Sequence, residues 1–291
     1  MIRKKSDYVI NFFIYLALAF AGFITLYPFL YVFSMSISGV QEVIQGNVVL
    51  FPKGFSIESY KLILRNQQFW TSYYNTIWYT VVGTTINVTM TILGAYPLSK
   101  KWLLHRNSIM FFISFTMFFG GGLIPGYLLV NALGMYNSRW ALVIPGAVSA
   151  WYIIITRTFF QTIPDSLEES AVIDGASELR VLVSIFLPLS KPIIAVLALF
   201  HAVGHWNSFF GAMIYLKDAS KQPLQIYMRR VLFDAAAEVQ RNIAGSVQER
   251  SALSIQLKYS SIIVSILPII CFYPFLQKYF VKGVMIGSIK G

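Results

Sequence analysis

The chain has 291 residues, 56% hydrophobic and only 12% charged, with a mean hydropathy of +0.63. Soluble globular domains carry roughly 25% charged residues, so a soluble enzyme or binding module is excluded and an all-α polytopic membrane protein is expected. The net charge of +11 would suggest nucleic acid in a soluble protein. Here the Lys and Arg residues lie in loops and helix flanks, so the charge reads as membrane-flanking and no nucleic-acid partner is expected.

A helix needs about 20 residues to cross a hydrocarbon core of ~30 Å. Six apolar stretches reach that length, near 10–37, 72–98, 108–130, 139–160, 189–215 and 258–280, and they make residues 1–291 a single transmembrane domain. All twelve carboxylates fall outside these stretches or at their edges.

The first stretch follows Arg3, Lys4 and Lys5 and contains Ala17, Ala19 and Ala21, the pattern of a cleavable signal. The apolar run continues to about Ile37, so an uncleaved span is expected. Trp70, Tyr73, Tyr74 and Trp78 open the second span, where an interfacial aromatic belt would lie, and are not assigned to a sugar site. Within the spans, Gly83, Gly94, Gly204 and Gly211 are placed to let helices approach closely. Thr84, Asn87, Thr91, His201, His205 and Asn207 are candidates for a polar path, because lipid would leave their hydrogen bonds unmade. Bonding between helices is the competing reading for each of them.

Between the fourth and fifth spans lies the loop 161–188, which contains most of EESAVIDGASELRVLVSIFLPLSKP, residues 168–192. Ser166 and Glu169 have the spacing of a capping box, and Asp165 and Glu168 suit the positive end of a helix dipole. A short helix should therefore start near Leu167, bend at Asp174-Gly175, and give way to a second from about Ala176 through Ile185 that ends before Pro188.

The loop 216–258 carries Lys217, Lys221, Arg229, Arg230, Arg241, Arg250 and Lys258 against Asp218, Asp234, Glu238 and Glu249, an excess of three positive charges. Fixed positive charge at an entrance concentrates anionic ligands, so an acidic, uronate-type oligosaccharide is expected. The alternative is a neutral sugar, with a binding protein docked on those charges. Cys271, the one cysteine, excludes a disulfide framework and a cysteine-rich metal site.

With the N-terminus inside, twelve of the 23 basic residues are cytoplasmic, and seven of the other eleven lie in the loop 216–258. Long translocated loops obey the charge bias weakly, so the remaining comparison of twelve with four favours cytoplasmic N- and C-termini. The loop 161–188 then faces the cytosol.

Glu169-Ser170-Ala171, Gly175 and Ile185-Phe186-Leu187-Pro188 keep every spacing of a cytoplasmic signature, with Ser170 as the one departure. The segment resembles the coupling loop of permeases of binding-protein-dependent ABC importers. Gly120 to Pro125, Trp140 to Ala147, Arg157 to Phe160, His205-Trp206-Asn207 and the tail Tyr273 to Phe280 are similar to the carbohydrate-uptake permeases, especially the LplC/YtcP-like branch, related to maltose- and alginate-type importers. The resemblance implies a type I ABC importer permease fold in a bacterial inner or plasma membrane. It also implies a second homologous permease, two ATPase subunits that bind ATP and Mg, and an extracytoplasmic solute-binding protein. By the same resemblance Glu168, Glu169, Ala171, Asp174, Gly175, Ile185, Leu187 and Pro188 form the ATPase-coupling set.

No Gly-Lys dipeptide occurs, so a phosphate-binding loop of that type is absent and no cofactor is expected in this chain. No H-E-x-x-H, intramembrane carboxylate pair or G-x-S-x-G is present, so neither a metal site nor an enzyme is expected. The expectation is an oligosaccharide permease driven by separate ATPases, with a stand-alone ion-coupled carrier as the alternative.

Overall fold

A computed structural model describes residues 5–242 and 254–271. Among these residues all regular structure is helical. Three helices are long and apolar enough to cross a membrane: Tyr8–Ile37, the main part of α1 (Lys5–Ile37); α4 (Gln67–Ser99); and α14 (Ser254–Cys271). The short helices α2 (Val40–Ile44) and α3 (Glu58–Arg65) lie between the first two.

Three other apolar stretches fold as broken helices. The stretch 108–130 divides into α5 (Arg106–Phe115) and α6 (Leu123–Ala132). Between them lies the run Gly120-Gly121-Gly122, where Gly122 has φ +83°, a backbone state that side-chain-bearing residues avoid. The stretch 139–160 opens with a 3-10 turn, Arg139–Leu142, and becomes α7 (Ala150–Phe160) only beyond Pro145-Gly146. The stretch 189–215 comprises α11 (Lys191–Trp206) and α12 (Phe210–Tyr215). Hydropathy registers how apolar a segment is; it does not register where glycine or proline interrupts its backbone ladder. The last stretch is helical as far as Cys271, which is exposed. The stretch expected as the loop 216–258 is in large part helical, with α13 (Leu224–Asn242) inside it, while residues 243–253 and the tail Tyr273 to Phe280 lie outside the described residues.

The described residues form two compact units. The first comprises the chain up to Phe69 together with Met228–Pro268. Tyr8, Phe12, Phe13, Leu16 and Phe20 of α1 stay exposed, as lipid-facing side chains do. The end of α1 is instead a hydrogen-bonded knot. Ser36 Oγ lies 2.7 Å from Tyr60 Oη, Ser59 Oγ lies 2.6 Å from Ser260 Oγ, and Gln256 Nε2 donates to the Ser38 carbonyl at 2.7 Å. Gly39 is required there, because a Cβ would stand 2.6 Å from the Gly54 carbonyl oxygen.

The second unit comprises, among the described residues, Trp70–Tyr227 and 269–271, and α4 is its axis. Near one end of α4, Tyr79 packs with Val143, Ala212 and Leu216. Near the other, Ala95, Tyr96 and Leu98 pack with Ile153, Phe160, Val181 and Phe186. At 1.5 Å per residue these clusters are about 25 Å apart along α4, close to the thickness of a hydrocarbon core.

Candidate functional site

The loop 161–188 folds as α8 (Asp165–Ile173), a bend, and α9 (Glu178–Val181), which continues through a π-helical stretch, Leu182–Phe186, into α10 (Leu187–Leu189). The expected capping box is not formed. Pro164 is the N-cap, its ring fixing φ for helix entry, so α8 starts at Asp165 and Ser166 falls inside the first turn. The bend does occur where glycine permits it. Gly175 has φ +79°; its amide donates to the Val172 carbonyl at 3.0 Å and the Ala176 amide to the Ala171 carbonyl at 2.9 Å, a Schellman closure.

The second helix differs from expectation at both ends. Ser177 caps α9, accepting from the Arg180 amide. The helix does not stop before Pro188, because the wider π turns carry the chain past a ring that would clash with the preceding turn of an α-helix. The chain then turns by 82° into α11.

Of the expected coupling residues, Glu169, Asp174, Gly175 and Pro188 are exposed, and Ala171, Ile185 and Leu187 are partly buried against the Tyr96 cluster. Glu168 is different. It accepts from Lys100 Nζ at 2.5 Å, and the Lys100 side chain is only 4% exposed. The ammonium lies 3.8 Å from the Phe186 ring centroid and 4.3 Å from that of Tyr96. Tyr96 Oη in turn donates to the Glu178 carboxylate at 2.9 Å. The end of α4 thus grips the helices on both sides of the bend. The neighbouring pair, Lys101 with Asp165 at 2.6 Å, is exposed. That hydrogen bond holds the Asp165 carboxyl below its ordinary range and raises Lys101. Its contribution is present above the ordinary Asp range and fades as pH falls through the lowered value, and solvent keeps it small.

The polar-path candidates do not converge on one open site. Asn87 is buried on α4, donating from Nδ2 to the Gly146 carbonyl at 2.5 Å while its Oδ1 lies 2.6 Å from His205 Nε2. A carbonyl only accepts, so the amide orientation is set and His205 carries its proton on Nε2. Gly83 makes room for this ring, since any Cβ there would overlap the imidazole. His201 packs against Tyr152, with centroids 4.5 Å apart, and its buried Nε2 has no partner among the described residues. The Thr84 and Thr91 hydroxyls are likewise buried without a partner there, whereas Asn207 is exposed. Of the other glycines, Gly94 approaches Ile153 and Gly211 approaches Leu142, but nothing lies within 4 Å of a Cβ at Gly204. Gly204 is therefore no close-packing site.

Residues 105–286 match the family described as binding-protein-dependent transport system inner membrane component. The chain belongs to this family. The permease is 43% identical to protein LplC of Bacillus subtilis (strain 168), over 93% of this chain and 91% of that one. It is 39% identical to the polygalacturonan/rhamnogalacturonan transport system permease protein YtcP of the same organism, over 96% and 97%. It is also similar to a solved chain of a bacterial ABC transporter that imports the acidic polysaccharide alginate, with 36% identity, a TM-score of 0.87, and coverage of 96% of this chain and 99% of that one. The protein is an ABC importer permease with the type I fold, and its relatives are transport proteins and not enzymes.

Sequence reasoning missed what holds the permease's signature loop in place. Lys100 was counted only among the cytoplasmic basic residues, Phe186 was read only as a position of the signature, and Tyr96 was not singled out. A weak signal existed: Lys100 ends a span on the side where the loop's acids lie, and a lysine there needs a carboxylate if it is buried.

Proposed function

We propose that this permease is one of two that together form the path of an ATP-driven oligosaccharide importer, with α8 seated on a cytoplasmic ATPase and both termini in the cytosol. One observation carries this reading. α8 buries none of its own residues and exposes Leu167, Val172 and Ile173, the last at 86%, while Lys100 anchors its inner edge to α4. An apolar ridge outside the membrane, tied to a spanning helix, suits a docking surface that passes motion into the spans. The substrate we infer is acidic and uronate-type, supported by the excess positive charge of the loop 216–258 and by relatives named for polygalacturonan and alginate.

Purification of the tagged permease from its native host tests this reading: an ATPase and a second permease should copurify, and uptake by proteoliposomes should require ATP. Uptake by the lone chain, driven by an ion gradient, would overturn it.

The bend has its own test. A Cβ at Gly175 meets no atom within 4 Å, so the main penalty of Gly175→Val is the strained φ. A β-branched residue at that φ costs about 1–3 kcal/mol, so a penalty in the lower half of that range, about 1–2 kcal/mol, lowers the bent population roughly 5–30-fold. Stimulation of ATP hydrolysis by binding protein and sugar should fall accordingly while the complex still assembles. Stimulation equal to wild type removes the bend from the mechanism.

A further inference from the structure

A second site lies at the opposite end of α4. Trp78, Asn137, Arg139, Trp140 and Lys221 line a cavity of about 510 Å³, within the ~300–1,000 Å³ usual for small-ligand sites. Trp78 precedes Lys100 by 22 residues, or about 33 Å of helix, roughly the thickness of a hydrocarbon core.

The cavity holds a fixed cation without a counter-ion. Arg139 Nη2 donates to Asn75 Oδ1 at 2.7 Å, and its guanidinium lies 5.4 Å from the Trp78 ring centroid. Asn75 cannot turn away, because its Nδ2 donates to the Ser220 and Gln222 carbonyls. Among the described residues no carboxylate pairs with Arg139. The nearby acid Asp218 is committed elsewhere: its Oδ1 accepts from the Ser220 amide at 3.0 Å and its Oδ2 lies 3.6 Å from Lys221 Nζ. With Nη2 engaged by Asn75, the rest of the planar guanidinium fork is left for a ligand, and a carboxylate is the group whose two oxygens match it.

The aromatic walls narrow the class of ligand. Trp78 and Trp140 meet edge to face, with centroids 5.6 Å apart, and Trp140 remains 45% exposed. An indole face packs against the C–H face of a pyranose, while the guanidinium holds a charged substituent beside it.

We propose that this cavity is an entrance subsite for one uronate unit of an oligosaccharide, with Arg139 pairing its carboxylate and Trp140 supporting its ring. This rests on the acidic-substrate reading of the proposed function. The test is uptake of tri-galacturonate and of its neutral methyl ester by the intact complex in proteoliposomes, with wild type, Arg139→Gln, Arg139→Lys and Trp140→Ala. Loss of one charge-assisted pair should raise the half-saturating concentration of tri-galacturonate about 10–100-fold in Arg139→Gln. Arg139→Lys should recover part of that loss, and Trp140→Ala should weaken both sugars. Uptake of the methyl ester by Arg139→Gln should fall far less than that of tri-galacturonate, because an ester carbonyl loses only a single uncharged acceptor contact. If Arg139→Gln handles tri-galacturonate as wild type does, the subsite is refuted and the acidic substrate stands. If wild type prefers the methyl ester, the acidic reading itself fails. Weaker docking of sugar-free binding protein by Arg139→Gln would make the cavity a protein contact and overturn the proposal.

Discussion

Replacing Lys100 with methionine should give an importer whose ATP hydrolysis no longer responds to binding protein and sugar. Lys100 lies buried between Tyr96 and Phe186 with its charge on Glu168, so its removal strands a carboxylate that is only 17% exposed. Breaking a buried pair from one side costs about 3–5 kcal/mol, far more than losing a surface pair. The Glu168 carboxylate can escape this cost by swinging out to water, and α8 must then leave the end of α4. Basal hydrolysis by the ATPases should persist, because their nucleotide sites lie outside this chain, while sugar-stimulated hydrolysis and uptake should fall together.

Two further variants separate this mechanism from simple misfolding. Lys100→Met with Glu168→Gln removes both charges and should recover part of the sugar-stimulated hydrolysis, since a neutral pair leaves no stranded ion. Lys101→Ala removes the exposed neighbouring pair with Asp165 and should leave stimulation near wild type. Full stimulation in Lys100→Met, measured on the assembled complex, would exclude the grip of α4 on α8 as the coupling element.

The second large effect is expected at mid-membrane. Asn87→Leu deprives the Gly146 carbonyl and the His205 N–H of their shared partner. Each buried group left unsatisfied costs about 1–3 kcal/mol, and Asn87 is buried. The thermal midpoint of the purified complex should drop clearly, whereas Thr85→Val, on an exposed position of the same helix, should barely move it.

Gly83→Ala attacks the same junction sterically, because its Cβ overlaps the His205 ring. Overpacking of this kind costs about 1–3 kcal/mol. Gly83→Ala combined with His205→Ala should be more stable than the sum of the two single losses, since the second substitution vacates the space the first needs. Additive losses in that double-mutant cycle would mean that the ring and the glycine are energetically independent.

The loop and the spans differ in how much of their structure could be read beforehand. Gly175 was legible because a left-handed backbone state is a property of the residue itself, and the carbonyls that close the bend lie three and four positions before it. The start of α8 was misread because two local signals competed, and proline's fixed φ prevailed over the hydroxyl of Ser166. The π-helical stretch before Pro188 was not legible at all, since a helix can meet a proline by ending, kinking or widening. Packing of Val181, Leu182 and Phe186 into the Tyr96 cluster keeps the chain helical there.

The sequence by itself determined that this is an all-helical membrane permease, because hydropathy, the exclusion of carboxylates from apolar stretches and a spaced signature are readable one residue at a time. Only the tertiary structure decided which polar residues act together. Lys100 meets Glu168 across 68 positions, Asn87 meets His205 across 118, and Asn75, which holds Arg139, is itself fixed by carbonyls 145 and 147 positions away. A buried charge or amide is stable only beside its complement, and which complement lies within 3 Å depends on how helices pack, not on spacing along any one of them.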